Sequence, residues 1–145
     1  MRSSDIATLA DFTPHFLGVF PADMFPKVQT NISFIVNTQP STENGEHWLA
    51  IFIDETTIHL FDSFGRGFQD FAEPFNKYLS EFSDGYKTFA ERIHVQDYTS
   101  NTCGEWSLYY IFNKTCKKDD CLKYFGVDLQ KNELFLEYFF EWIND

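Results

Sequence analysis

The run Trp48-Leu49-Ala50-Ile51-Phe52-Ile53 constrains this chain more than any other stretch. It carries no charge, and it reads as a β-strand covered on both faces. Asp54-Glu55-Thr56 supplies a tight turn, and Thr57-Ile58-His59-Leu60-Phe61 returns as a second β-rich run ending at Asp62. The two runs predict an antiparallel hairpin. The start of the first strand then lies beside the end of the second, which brings residues 47 and 62 close together.

Other elements are legible around the hairpin. Phe16–Phe20, ended by Pro21, reads as a strand or an extended segment, and the β-branched run Ser33–Val36 and the shorter Ile93-His94-Val95 read as strands. Asp5–Leu9 suits a first helix capped by Ser4 or Asp5, and Asn37–Glu46 is rich in turn formers. Phe68, Phe71, Phe75, Tyr78, Leu79 and Phe82 recur at helical spacing and predict one amphipathic helix, closed by Asp84-Gly85. A helix opening at Cys103, with Asn101 or Thr102 as its cap, continues through Phe112. Two more are predicted at about 119–125 and 132–143, on either side of Gly126. This mixture predicts an α+β protein with a central mixed β-sheet flanked by helices. No repeat or linker divides it, so residues 1–145 read as one domain.

Composition narrows the function classes. A chain of 145 residues can bury a core without disulfides, and its 18 Phe, 7 Tyr and 3 Trp speak against disorder. A net charge of −11 repels polyphosphate, which argues against nucleic acid as the main partner. No apolar span reaches the ~20 residues of a membrane helix, and the first residues carry no secretory pattern. Three cysteines, an odd number, suit free thiols in a reducing compartment. There is no C-x-x-C or H-E-x-x-H spacing, so neither a metal site nor a cofactor is expected.

Four residues form a chemically meaningful set. His47 precedes the first hairpin strand and Asp62 ends the second, so the carboxylate can fix the imidazole tautomer and stabilise an imidazolium. Cys103 opens a helix, where free amides and the helix dipole favour a thiolate. Gly104 leaves room for a substrate backbone. Gln96 lies seven residues earlier, in a polar loop, where its side-chain amide and the Cys103 amide can face a developing oxyanion. Taken singly, each has a plainer reading: Cys103 as a small buried hydrophobe, Asp62 as a turn residue, His47 as a structural histidine. Together they name a nucleophile, a base, an orienter and an oxyanion donor, as acyl transfer requires.

Several local words carry a resemblance. They are Phe16-Leu17-Gly18, Phe25-Pro26, Ile35-Val36-Asn37-Thr38, Gly45-Glu46-His47-Trp48, Phe61-Asp62-Ser63-Phe64-Gly65 and Cys103-Gly104. In order and spacing the chain resembles the adenovirus protease (adenain) family of cysteine endopeptidases, which shares a clan with the Ulp-type SUMO proteases. The resemblance implies a cysteine-proteinase-like fold, with His47 as base, Asp62 as its orienter, Gln96 in the oxyanion hole and Cys103 as nucleophile. It implies that Trp48, next to the base, contacts substrate or stacks on the imidazolium; a plain core aromatic is the competing reading. It further implies cleavage at small-residue or Gly-containing sites in viral or virus-like precursor proteins of the capsid, in host nucleus, cytoplasm or virion.

The chain departs from that family where activation is concerned. It is shorter than the adenoviral enzymes and acidic, which speaks against activation by DNA. No Cys precedes Cys103, which speaks against a disulfide-linked activating peptide, while a non-covalent one stays open. Cys116 and Cys121 read as core or surface thiols. Two other classes remain: an isopeptidase for ubiquitin-like modifiers on the same fold, and a non-catalytic interaction module using exposed aromatics.

Overall fold

The apolar run forms a strand at the bounds its sequence suggests. The structure is a computed structural model that describes residues 13, 15–24, 26–38, 47–71, 76, 77, 79, 80, 85–118 and 120–144. The strands are β1 (Phe16–Phe20), β2 (Ile32–Asn37), β3 (Trp48–Ile53), β4 (Thr57–Phe61) and β5 (Lys87–Glu91). They form one five-stranded sheet in the order β1-β2-β3-β4-β5. β2, β3 and β4 pair antiparallel, while β1 joins β2 and β5 joins β4 in parallel, so the sheet is mixed. Asp54 closes the β3–β4 turn, its Oδ1 accepting from the amides of Thr56 (2.9 Å) and Thr57 (2.8 Å).

Both faces of the central strands are buried, and the register shows how. Ile35, Ala50 and Phe61 are partners across β2, β3 and β4 and floor one face. Phe34, Ile51 and Leu60 are partners one residue along and floor the other. A strand with period two and two apolar faces needs an unbroken apolar run. On the first face lies α1 (Cys103–Thr115). Ten of its residues are buried, among them Trp106, Leu108, Tyr110 and Ile111, as suits a helix enclosed on all sides. The Tyr110 ring stacks on Phe61 at 4.7 Å and an 11° interplanar angle. The helix α2 (Leu129–Ile143) is capped by Asp128, whose side chain accepts from the Lys131 amide at 3.2 Å. It packs on the same cluster through Leu136, Phe139 and Phe140.

Three predicted elements differ. The fifth strand is Lys87–Glu91, and 93–95 contributes only a bridge between His94 and Phe64. β5 is an edge strand whose first three residues are exposed, so it lacks the apolar run that marks the central strands. The segment 120–124 forms turns in place of a helix. Left-handed Lys117 (φ 60°) ends α1, and the bonds that follow span three residues, as from Cys121 N–H to Lys118 and Phe125 N–H to Leu122. The helix expected over 68–82 begins as a 3₁₀ turn at Phe68–Asp70 and breaks at Phe71, whose backbone is extended. Helical backbone is present at 76, 77, 79 and 80, and Leu79 is buried. The predicted helix at 5–9, most of the 37–46 loop, and Phe25, Phe75, Tyr78 and Phe82 lie outside the described residues.

Candidate active site

The hairpin brings His47 to Asp62. His47 Nε2 lies 2.5 Å from Asp62 Oδ1, and the His47 carbonyl is anchored at the end of β2 by the Thr38 amide at 2.9 Å. Asp62 is fully buried and saturated with donors. Oδ1 also accepts from the Phe64 amide (3.2 Å), and Oδ2 from the Arg66 amide (3.1 Å) and Arg66 Nε (2.7 Å). Burial alone would raise the Asp62 pKa; the bonds and charges of His47 and Arg66 outweigh it and hold the carboxyl below its ordinary range. Burial alone would likewise lower the His47 pKa. The hydrogen bonds and charges of Asp62 and Cys103 overcome it, and the imidazole is held above its ordinary 6.5.

With Nε2 committed to Asp62, Nδ1 is the nitrogen left for the thiol. Cys103 is buried at the first position of α1, near enough to His47 for its side chain to help raise the imidazole pKa. Its carbonyl accepts from Ser107 Oγ at 2.8 Å, one helical turn on. Thr102 is the N-cap of α1, yet its hydroxyl does not cap the helix; it turns away to Glu133. Thr102 therefore offers the first-turn amides of α1 no side-chain acceptor. Cys121 is a different thiol: burial, helped by the Glu91 charge, pushes its pKa up to about 12 and keeps it protonated. Cys116 is exposed.

Gln96 is buried, and its side chain is held at both ends. Nε2 donates to the Ser100 carbonyl at 3.1 Å, which fixes the orientation of the carboxamide because a carbonyl can only accept. Oε1 then accepts from the Ser63 hydroxyl. The Ser63 carbonyl also takes the amides of Val95 (2.8 Å) and Gln96 (3.1 Å), and the Gln96 carbonyl accepts from His94 Nε2 (2.7 Å).

The word Asp62-Ser63-Phe64-Gly65-Arg66 thus organises the site residue by residue. Ser63 holds Gln96, and Arg66 holds Asp62. The Phe64 ring stacks on His47 (5.3 Å, 25°) and carries Tyr98 on another side (5.9 Å, 9°). Gly65 sits at φ +77°, and a Cβ there would come within 3.1 Å of the His94 amide nitrogen. The spacing of the word points to Asp62 alone; Ser63 and Gly65 take their roles from residues about 30 positions on, Phe64 from His47 17 positions back, and Arg66 from Asp62 itself. The ring parallel to His47 is that of Phe64, while Trp48 is half-buried and packs toward the α1 cluster. Gly104 is buried in the first turn of α1. The arrangement can move a proton from a thiol to an imidazole and stabilise the resulting pair of charges.

No family model matches the chain, and no curated protein matches it in sequence. Among the described residues, no group of three or more His, Cys, Asp or Glu side chains could hold a metal ion, and no helix is long and apolar enough to cross a membrane.

Proposed function

We propose that the chain is a cysteine endopeptidase of the adenain type, with Cys103 as nucleophile, His47 as general base and acid, Asp62 as its orienter and Gln96 in the oxyanion hole. The observation that carries this reading is the placement of His47, bonded through one nitrogen to a buried carboxylate and close enough to feel the side chain of a cysteine that opens a helix. The α+β architecture, with the cysteine-bearing helix laid on a mixed sheet, suits the cysteine-proteinase-like fold that the sequence resemblance implies.

Each step uses these groups. The Cys103 proton passes to His47 Nδ1, giving a thiolate and an imidazolium steadied by Asp62. The thiolate attacks the scissile carbonyl carbon, and the Cys103 amide with the second Gln96 Nε2 hydrogen stabilises the oxyanion. Collapse breaks the C–N bond, His47 returns its proton to the leaving amine, and a thioester remains. His47 then takes a proton from water, hydroxide adds to the thioester carbonyl, and collapse expels Cys103 with its proton restored. The substrates are precursor proteins of a virus or virus-like element, cut at small-residue or Gly-containing bonds, in a reducing compartment.

Cleavage of Gly-containing peptides by the parent and by Cys103→Ala tests the assignment. The variant keeps its fold and loses turnover; undiminished cleavage overturns the reading. Ubiquitin- and SUMO-based fluorogenic substrates in the same panel separate an endopeptidase from an isopeptidase by which substrate is turned over faster.

A further inference from the structure

The loop from Gln96 to Thr102 joins the proposed oxyanion donor to the proposed nucleophile, and adjacent residues of α2 hold its two ends. Asn132 is buried; its Nδ2 donates to the Val95 carbonyl at 3.2 Å, immediately before Gln96. The same side chain is locked to the turn before α2, donating to the Gly126 carbonyl (2.9 Å) and accepting from the Gly126 amide (3.3 Å). Glu133, the next residue, spreads its carboxylate across the start of α1. Oε1 accepts from the Thr102 hydroxyl, one residue before Cys103, and Oε2 accepts from Trp106 Nε1 at 2.6 Å, three residues after it. Trp106 is fully buried, so its indole N–H has little chance of a water partner if the carboxylate is removed.

The contacts continue into the loop. The Thr102 hydroxyl lies 3.0 Å from that of Ser100, and the Ser100 carbonyl is the acceptor that orients the Gln96 carboxamide. A line of polar contacts therefore runs from Glu133 through the Thr102 hydroxyl to Ser100, whose own hydroxyl donates to the Asp97 carbonyl at 2.9 Å and whose carbonyl holds Gln96, and a branch from Glu133 reaches Trp106 on the far side of Cys103.

We infer that Glu133 is a positioning residue for this site: it sets the spacing between the oxyanion donor and the nucleophile. The inference rests on the catalytic reading of Cys103 and Gln96. Glu133 acts through Thr102, Ser100 and Trp106, so its loss alters the barrier of the chemical step more than the binding of substrate. A glutamine can replace it, because a carboxamide oxygen accepts from the indole N–H while its NH₂ donates to the threonine oxygen.

The test compares Glu133→Ala, Glu133→Gln and Leu136→Ala with the parent, using a Gly-containing peptide, active-site titration and a temperature at which every variant is folded. Leu136 is buried one turn along the same helix and takes no part in that line of polar contacts, so its truncation controls for a loosened α2. The expected result is a fall of about 10²-fold in kcat for Glu133→Ala with KM nearly unchanged, on the scale that small misplacements of reacting groups cost. Glu133→Gln recovers most of kcat, and Leu136→Ala lowers Tm while keeping kcat per titrated site. Parent-like kcat in Glu133→Ala overturns the inference, as does an equal loss in Leu136→Ala or no recovery in Glu133→Gln. The Cys103→Ala variant separates the two levels. If it cleaves at the parent rate, the catalytic assignment falls; if it is inactive and Glu133→Ala is not impaired, the positioning role alone falls.

Discussion

Arg66 grips the side of Asp62 that His47 leaves open. Its Nε lies 2.7 Å from Oδ2 while His47 holds Oδ1, so the two bases pull the carboxylate into one orientation. The Arg66 guanidinium is itself held over the Phe64 and Phe71 rings, at 5.5 and 5.4 Å from their centroids. The cation thus ties the acid of the site to the aromatic ring stacked on its base.

Arg66→Ala is expected to lower kcat, by about tenfold, because Asp62 keeps its backbone donors but loses the contact that fixes its tilt. The effect on stability is small, about 0–1 kcal/mol, since the guanidinium is partly exposed. Steady-state kinetics beside urea unfolding checks both parts. A loss of stability matching the loss of rate would show that Arg66 supports the fold and leaves the orientation of Asp62 to others.

The His47–Asp62 pair gives folding a pH dependence with two limbs. The His47 pKa is raised in the folded state, so its contribution is fully present below 6.5 and is lost as pH rises through the higher folded value. The Asp62 pKa is lowered, so its contribution is present above 3.8 and is lost as pH falls through the lower folded value. Unfolding free energy measured by urea titration should therefore decline above pH 6.5, by at most about 1.4 kcal/mol per pH unit for this one proton. His47→Gln removes that limb. A decline of the same steepness in the variant would place its origin elsewhere.

Gln96→Ala is expected to lower kcat about 10²–10³-fold with little change in KM, the usual cost of one oxyanion donor. Ser63→Ala leaves the donor in place but frees Oε1, and it costs less. If the two variants lose equal activity, or if KM rises in place of a fall in kcat, Gln96 holds substrate and does not stabilise the oxyanion.

Much of the central architecture is legible in the sequence. Two-sided burial favours an unbroken apolar run, which Trp48–Ile53 supplies, and both it and the returning Thr57–Phe61 are strands at the predicted bounds. A hairpin then dictates that its open ends meet, so the contact of His47 with Asp62 followed from counting residues. β5 was not legible, because an edge strand exposes Lys87, Thr88 and Phe89 and shows no apolar period. The 3₁₀ turn at Phe68–Asp70 was hidden for a related reason: aromatic spacing is the same whether or not the backbone breaks at Phe71.

By itself the sequence determined the elements whose burial writes a pattern along the chain, and which short-range neighbours could meet across a tight turn. It also placed Cys103 at a helix start, since that depends on a few adjacent residues. Only the tertiary structure decided which groups hold that site in place. The grip of Ser63 on Gln96, the stacking of Phe64 on His47 and the reach of Glu133 to Thr102 and Trp106 all join residues distant in the chain. Such pairs leave no local signature. A hydrogen bond between distant residues constrains neither residue's neighbours, so its partners become visible only once the sheet and helices have brought them together.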